Sequence, residues 1–198
     1  GSKVATQLRQ ILKEFRLLKG SIAVSDRLWL RHFKLLQEVA PNARFTSTAD
    51  LLGRMRMLKS QQEIELMEKA AKLTEDALKA SLAECKPGRK EFELAARLEY
   101  EMRSKGSEGT GFETIIASGS NSSLPHYSCG DRMIGAGDVV TIDVGAMFGR
   151  YCSDLTRTVT VGKADSRIER IFNIVLRAHD EAMGAVRPSV TAEAVDLT

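Results

Sequence analysis

The sequence predicts an α/β chain of the α+β kind, an antiparallel sheet with covering helices. Three observations predict it. Two helical apolar periodicities follow one another between Ser60 and Lys105. A cluster of β-branched, alternating segments then runs from Phe112 to Val161 and contains a hairpin. A third long helical stripe follows, from Asp165 to Arg187.

Taken in order, residues 3–19 place Val4, Leu8, Ile11, Leu12, Phe15 and Leu18 at helical spacing, and Gly20 stops that helix. Ser21–Val24 reads as a short strand with no partner in view. Leu28–Val39 reads as a second helix ended by Pro41, and residues 42–56 have no clear period. Residues 1–55 are therefore expected to be the remnant of a preceding domain. Gly1-Ser2 reads as what is left of a cleaved tag.

From Ser60 the pattern sharpens. Ser60 and Glu63 have capping-box spacing, and Ile64, Met67, Ala71, Leu78 and Leu82 follow on one face until Cys85-Lys-Pro-Gly88. Lys90–Lys105 is a further helix with Gly106 as its C-terminal stop. Phe112–Ser118 is a strand and Gly119–Pro125 a loop. Val139–Gly145 and Tyr151–Val161 are two strands joined around Met147–Arg150. Ser166 and Glu169 again have capping-box spacing, and Ile168, Ile171, Phe172, Val175, Leu176, Met183 and Val186 form the third helix's apolar stripe. Thr191 caps one more helix, and the sequence stops about two turns into it. That stop is expected to reflect a longer parent protein.

Composition narrows the function classes. The chain has 198 residues, 43% hydrophobic and 28% charged, enough for a real core. No apolar run is long enough for a transmembrane helix and no signal peptide opens the sequence, so no membrane partner is expected. Residues 1–60 carry twelve Lys/Arg against four Asp/Glu. They contain no long basic run and no nucleic-acid motif, so this reads as a solvated basic face, with no nucleic-acid partner. Cys85, Cys129 and Cys152 are odd in number and widely spaced, which points to reduced thiols and a cytoplasmic location.

The chemistry concentrates in Val139-Val-Thr-Ile-Asp143-Val-Gly-Ala-Met-Phe-Gly-Arg-Tyr-Cys-Ser-Asp154-Leu-Thr-Arg-Thr158. A hairpin with Phe148-Gly149 at its tip sets Asp143 directly opposite Asp154, on one face, with Cβ atoms about 5 Å apart. Two carboxylates at that distance repel by ~3 kcal/mol at an effective dielectric of about 20. A shared proton, a nearby Arg150 or Arg157, or one or two divalent cations would offset that. A displaced register with both carboxylates solvated would remove the need. His126, in Ser123-Leu-Pro-His-Tyr127, follows a proline in a loop and is a candidate ligand or proton shuttle. His179 reads as a core or boundary histidine, His32 as an exposed one, Trp29 as a core residue, and Cys152 as a small buried one. No phosphate-binding loop or dinucleotide fingerprint occurs.

Three segments carry a resemblance. Arg56-Met-Leu-Lys-Ser-Gln-Gln-Glu-Ile-Glu65 resembles the opening of the catalytic domain of Xaa-Pro aminopeptidases and prolidases. Ile116-Ala-Ser-Gly-Ser-Asn-Ser-Ser-Leu-Pro-His126 is similar to the loop that carries their first active-site histidine. Asp143 through Thr158 is similar to their metal-binding hairpin. The matches occur in family order and cover about residues 54–198.

The resemblance implies the first half of a pita-bread fold over residues 56–198. It implies metal-dependent removal of the N-terminal residue ahead of proline, from a proline-containing peptide. It implies Asp143 and Asp154 as metal ligands, Asp154 bridging two ions and Asp143 binding one, with manganese or cobalt as the metals. It implies His126 in substrate contact or proton transfer. The family's other ligands, one His and two Glu, have no counterpart here, so the chain alone is expected to be inactive. An alternative is a non-catalytic relative that binds peptides or other proteins, and creatinase shares the fold with a different reaction. The missing half is expected to leave an apolar face open and to favour a homodimer.

Overall fold

The computed structural model describes residues 2–198; Gly1, part of the dipeptide read as a tag remnant, lies outside them. The chain divides into two compact units, the first ending at Ser60 and the second spanning Gln61–Thr198.

The first unit is α1 (Ser2–Glu14), β1 (Ser21–Val24), α2 (Leu30–Val39), β2 (Arg44–Ser47) and α3 (Ala49–Met57). α1 ends well before Gly20. Arg16 takes φ +58°, Arg16 N–H bonds to Lys13 and Leu17 N–H to Leu12. That is the closure usually made with glycine. The strand expected to lack a partner has one: β1 pairs in parallel with β2, Ser21 beside Arg44 and Val24 beside Ser47. The pairing was hidden because β2 is only four residues long and its burial does not alternate. Leu12, Val39 and Ala40 form a small core, with Leu8, Leu17, Ile22 and Leu35 packed on it. Trp29 is not part of it. Its ring is exposed, stacked on His32 at 5.8 Å and covered by the Arg31 guanidinium at 4.5 Å.

The second unit contains α4 (Gln61–Ser81), α5 (Glu91–Ser104), β3 (Gly109–Thr110), β4 (Ile115–Ser118), β5 (Val139–Val144), β6 (Ala146–Phe148), β7 (Tyr151–Cys152), β8 (Leu155–Thr160), α6 (Ser166–Ala185) and α7 (Ala192–Asp196). The strands make two antiparallel sheets, β4-β5-β8 and β3-β6-β7. Along β5, Val140, Ile142 and Val144 are buried while Val139, Thr141 and Asp143 take the other face, the two-residue period of a half-covered strand. The buried face joins Ala77 and Leu78 of α4 and Leu94, Ala95, Leu98 and Met102 of α5 in one core. α5 ends as its glycine predicts: Gly106 has φ +104°, and Ser107 N–H reaches back to Met102.

The last helices depart in detail. The cap of α6 is Asp165, whose carboxylate accepts from Arg167 N and Ile168 N, one residue ahead of the predicted Ser166. Thr191 caps α7 as expected, accepting from Ala194 N. No residue of α6 is buried, so its apolar stripe stands open, and His179 is exposed beside Asp180. Periodicity identifies a face that suits packing; it does not supply a surface to pack on. No described helix is long and apolar enough to cross a membrane.

Candidate metal centre

The hairpin of β5 to β8 turns at Gly149-Arg150, one residue later than its sequence suggests. Phe148 pairs with Tyr151, and both turn residues have positive φ, +55° and +69°. Those signs are what a two-residue type I′ turn requires. Glu108 secures the turn by accepting from Gly149 N at 3.0 Å and Arg150 N at 3.4 Å.

The later turn moves the register by two residues. Asp143 sits opposite Thr156, and Val144 opposite Leu155, which leaves Asp154 level with Gly145. The expected direct opposition of the two aspartates is thus corrected. In an unbroken ladder a two-residue shift preserves the face, so by register Asp143 and Asp154 become diagonal positions, which an ideal ladder sets about 7 Å apart on one side. Asp143 is half-buried and Asp154 exposed.

Between them the ladder breaks. Gly145 is buried, and a Cβ there would lie 2.0 Å from the Ser153 carbonyl oxygen. Only glycine permits that approach. Beyond the break, Ala146 N–H donates to Thr74 Oγ1 at 2.8 Å and Ser153 Oγ at 3.0 Å, and the two hydroxyls are 2.6 Å apart. Thr74 in turn donates to Ala70 of α4. A helix hydroxyl therefore fixes the bend from which both aspartates project.

Neither nearby arginine offsets the two carboxylates, and the displaced register, with Asp154 exposed, lowers their mutual repulsion. Arg150 lies 3.9 Å from Glu108, and the Arg157 guanidinium donates to the Thr156 carbonyl. Among the described residues neither Asp143 nor Asp154 has an ion-pair partner. Asp143 Oδ1 accepts one hydrogen bond, from Thr156 Oγ1 at 2.8 Å. Hard, unpaired carboxylates of this kind suit divalent cations such as manganese. The set is partial: no three His, Cys, Asp or Glu side chains among the described residues come together as a metal site. His126 is accordingly not grouped with the two aspartates.

His126 sits in an exposed loop with φ +57°. The loop leaves the end of β4 and returns along that strand's free edge. There Cys129 Sγ accepts from Ile116 N and donates to the Thr114 carbonyl. Ile115 is the residue paired with Asp143, so at Cys129 the loop comes back level with Asp143. Cys152, read as buried, is exposed on β7. The strand alternation that puts Cys152 with Asp154 is on the solvent side, which is why burial fails there.

Sequence reasoning missed the polar supports. Thr156 lies inside the quoted hairpin motif, and its hydroxyl was the available signal. Glu91 is fully buried at the start of α5, among ordinary helix-opening acids, and nothing in local spacing links it to residues 118–130. Nearby, Asp138 is held by Arg132 and by Gly135 N at 2.7 Å.

These carboxylates make the fold acid-sensitive. The Arg132 hydrogen bond is the chief cause holding Asp138 below its usual range. For Glu91, desolvation pushes upward, but the hydrogen bonds from Ser118, Tyr127 and Asn121 outweigh it. Groups depressed in the folded state stabilise it above their unfolded pKa, about 4, and stop doing so as pH falls through the folded values. The melting temperature is therefore expected to fall from about pH 4 downward. Asp138→Asn should flatten that decline; an unchanged acid profile would contradict the assignment.

With this geometry in place, comparison with known proteins gives the class. Residues 65–198 match the model of metallopeptidase family M24. The Xaa-Pro dipeptidase of Pyrococcus horikoshii is 38% identical over 184 residues, 92% of this chain and 52% of its own length. The recombinant prolidase of Thermococcus sibiricus superposes with a TM-score of 0.92 at 30% identity, covering 97% of this chain and 53% of that one. An Xaa-Pro dipeptidase from Bacillus anthracis gives 0.88 at 32% identity, covering 98% and 54%. The chain belongs to metallopeptidase family M24 and has half of its pita-bread α/β fold. It spans about half the length of the curated relatives it matches.

Proposed function

We propose that the chain supplies the first half of the catalytic region of an Xaa-Pro peptidase, over residues 56–198, preceded by the remnant of an N-terminal domain over 1–55. The observation that carries this reading is the Asp143–Asp154 pair, unpaired with any described cation and set on either side of a glycine-locked bend. The reaction is hydrolysis of the bond between a first residue and proline. The Xaa-Pro dipeptidase names of relatives favour a dipeptide over a longer peptide as substrate.

Asp143 and Asp154 are the residues that hold divalent metal, manganese or cobalt. When bound, the metal supplies Lewis-acid chemistry at the scissile carbonyl and the attacking water. The chain's own groups do the orienting. Thr156 Oγ1 fixes one oxygen of Asp143 and leaves the other for a ligand. His126 contacts the substrate or holds a proton during the reaction. Replacing Thr156 with valine is expected to keep the fold and weaken metal affinity about tenfold, read by metal titration; unchanged affinity would sink the orienting role.

Two carboxylates fall short of the roughly six donors that hard cations take, so the chain by itself is inactive. The test is turnover of an Xaa-Pro dipeptide with manganese present. The chain alone should be idle, and the chain joined to the C-terminal half of a related M24 peptidase should hydrolyse it. Hydrolysis by the chain alone, or none by the joined form, contradicts the reading. The exposed residues of α6, Ile171, Phe172, Val175 and Met183 among them, support a homodimer. Sedimentation showing a monomer at every concentration would exclude one. The three free cysteines favour a cytoplasmic location.

A further inference from the structure

We propose that Glu91 is a positioning residue for His126, its buried carboxylate tying together both ends of the loop that carries the histidine. The proposal rests on the reading of His126 as a site residue and adds the group that sets it.

The loop hangs on one side chain. Glu91 Oε1 accepts from Ser118 N at 2.8 Å, Ser118 Oγ at 2.6 Å and Asn121 Nδ2 at 3.1 Å. Glu91 Oε2 accepts from Tyr127 OH at 2.8 Å and Gly130 N at 3.4 Å. Ser118 and Asn121 belong to the outgoing limb, Tyr127 and Gly130 to the returning one. Asn121 Nδ2 also donates to Tyr127 OH at 2.8 Å, closing the limbs directly. Arg132, paired with Asp138, donates to Ser118 Oγ and fastens the base. The backbone agrees: Phe92 N–H donates to Gly130, and Glu91 N–H to Arg132.

A fully buried carboxylate is unfavourable unless its lone pairs are met, and here five donors meet them. Packing does not require it; on the same helix Leu94 and Leu98 fill the core. What the carboxylate does is fix a loop whose Leu124, Pro125 and His126 are exposed and gain no burial. His126 adopts the left-handed backbone region, φ +57°, which side-chain-bearing residues hold only when their surroundings impose it. Its immediate neighbour Tyr127 is bonded to Glu91, and that bond raises the Tyr127 hydroxyl above its ordinary range. The imposed conformation and the anchor are one residue apart.

The test uses the isotope-labelled chain and two variants, Glu91→Gln and Tyr127→Phe. A glutamine keeps the size but turns one acceptor into a donor facing Tyr127 OH and Gly130 N. The readouts are amide hydrogen exchange and the His126 imidazole and Cα resonances. In Glu91→Gln, exchange at residues 120–128 should quicken at least tenfold and the His126 resonances should move, while Leu98 and Ile142 keep their protection. Tyr127→Phe should move the same resonances by less. Equal loss of protection at Leu98 and Ile142 would make Glu91 a core stabiliser and overturn the proposal, as would unmoved His126 resonances. If Glu91→Gln does not fold, Tyr127→Phe decides alone, and an unmoved His126 overturns the proposal. Turnover separates the two claims: if His126→Ala keeps full activity in the form joined to a second half, the site reading fails even where the loop data hold.

Discussion

Replacing Asp154 with alanine is expected to abolish metal-dependent Xaa-Pro hydrolysis in a form of the protein that carries the whole ligand set. A metal centre contributes several kcal/mol of transition-state stabilisation; losing about 4 kcal/mol lowers kcat/KM about a thousandfold. Stability should hardly change. Asp154 is exposed and outside the strands, and surface substitutions of that kind stay within about 0.5 kcal/mol. The combination is what gives the experiment its force: a folded, unshifted protein with no turnover. Activity within tenfold of the parent would remove Asp154 from the site.

The second large effect is on stability, at the bend. Gly145→Ala places a methyl group 2.0 Å from a backbone oxygen and 2.9 Å from a carbon of the Phe112 ring. The ring can turn, but the Ser153 carbonyl cannot retreat without opening the hairpin where Ala146 is held by Thr74 and Ser153. A cost of about 3 kcal/mol follows, and a fall in melting temperature of roughly 10 °C. Gly184→Ala is the control, because a Cβ there meets nothing within 4 Å and the position is helical, so it should melt no lower than the parent. Equal melting of the two variants would mean that the bend is not locked as described. Because Asp143 and Asp154 flank this bend, the glycine also bears on function: the strain that opens the hairpin separates the carboxylates.

Local signals carried the existence of α4 and α5 but not the buried face of α4. Of its expected stripe only Leu78 is buried, beside Ala70, Thr74, Ala77 and Ser81, while Ile64, Met67, Ala71 and Leu82 are exposed. On α5 the expected Leu94, Leu98 and Met102 are buried, and Gly106 closes the helix through a bond pattern that glycine makes readily. The face assignment of β5 was also legible, since alternation survives any even shift of register. The register itself was not. The turn puts Arg150 at positive φ, a position that sequence preference gives to glycine or asparagine, so sequence preference sets the tip one residue early. α1 misleads in the same way, because Arg16 closes it where Gly20 is the obvious stop.

The proposed site is named in the sequence as a list of groups, Asp143, Asp154 and His126, and not as an arrangement. Thr74 meets Ser153, and Glu91 meets Ser118, Tyr127 and Gly130, across sequence separations that no periodicity spans. Such partners are chosen by packing of α4 and α5 on the sheets, a tertiary fact. Trp29 and the α6 stripe show the opposite failure. Their composition reads as core, yet both are exposed, because hydrophobicity states a preference and the neighbours decide whether it is met.

The central claim is that Asp143 and Asp154 together take a divalent cation. Manganese is paramagnetic, so titrating it at about millimolar concentration, the range for a site short of ligands, into the isotope-labelled chain reads the location directly. The amides of Asp143, Val144, Asp154, Leu155 and Thr156 should broaden first, and the double variant Asp143→Asn, Asp154→Asn should lose that broadening. Broadening that persists in the double variant, or that begins elsewhere in the chain, would contradict the account.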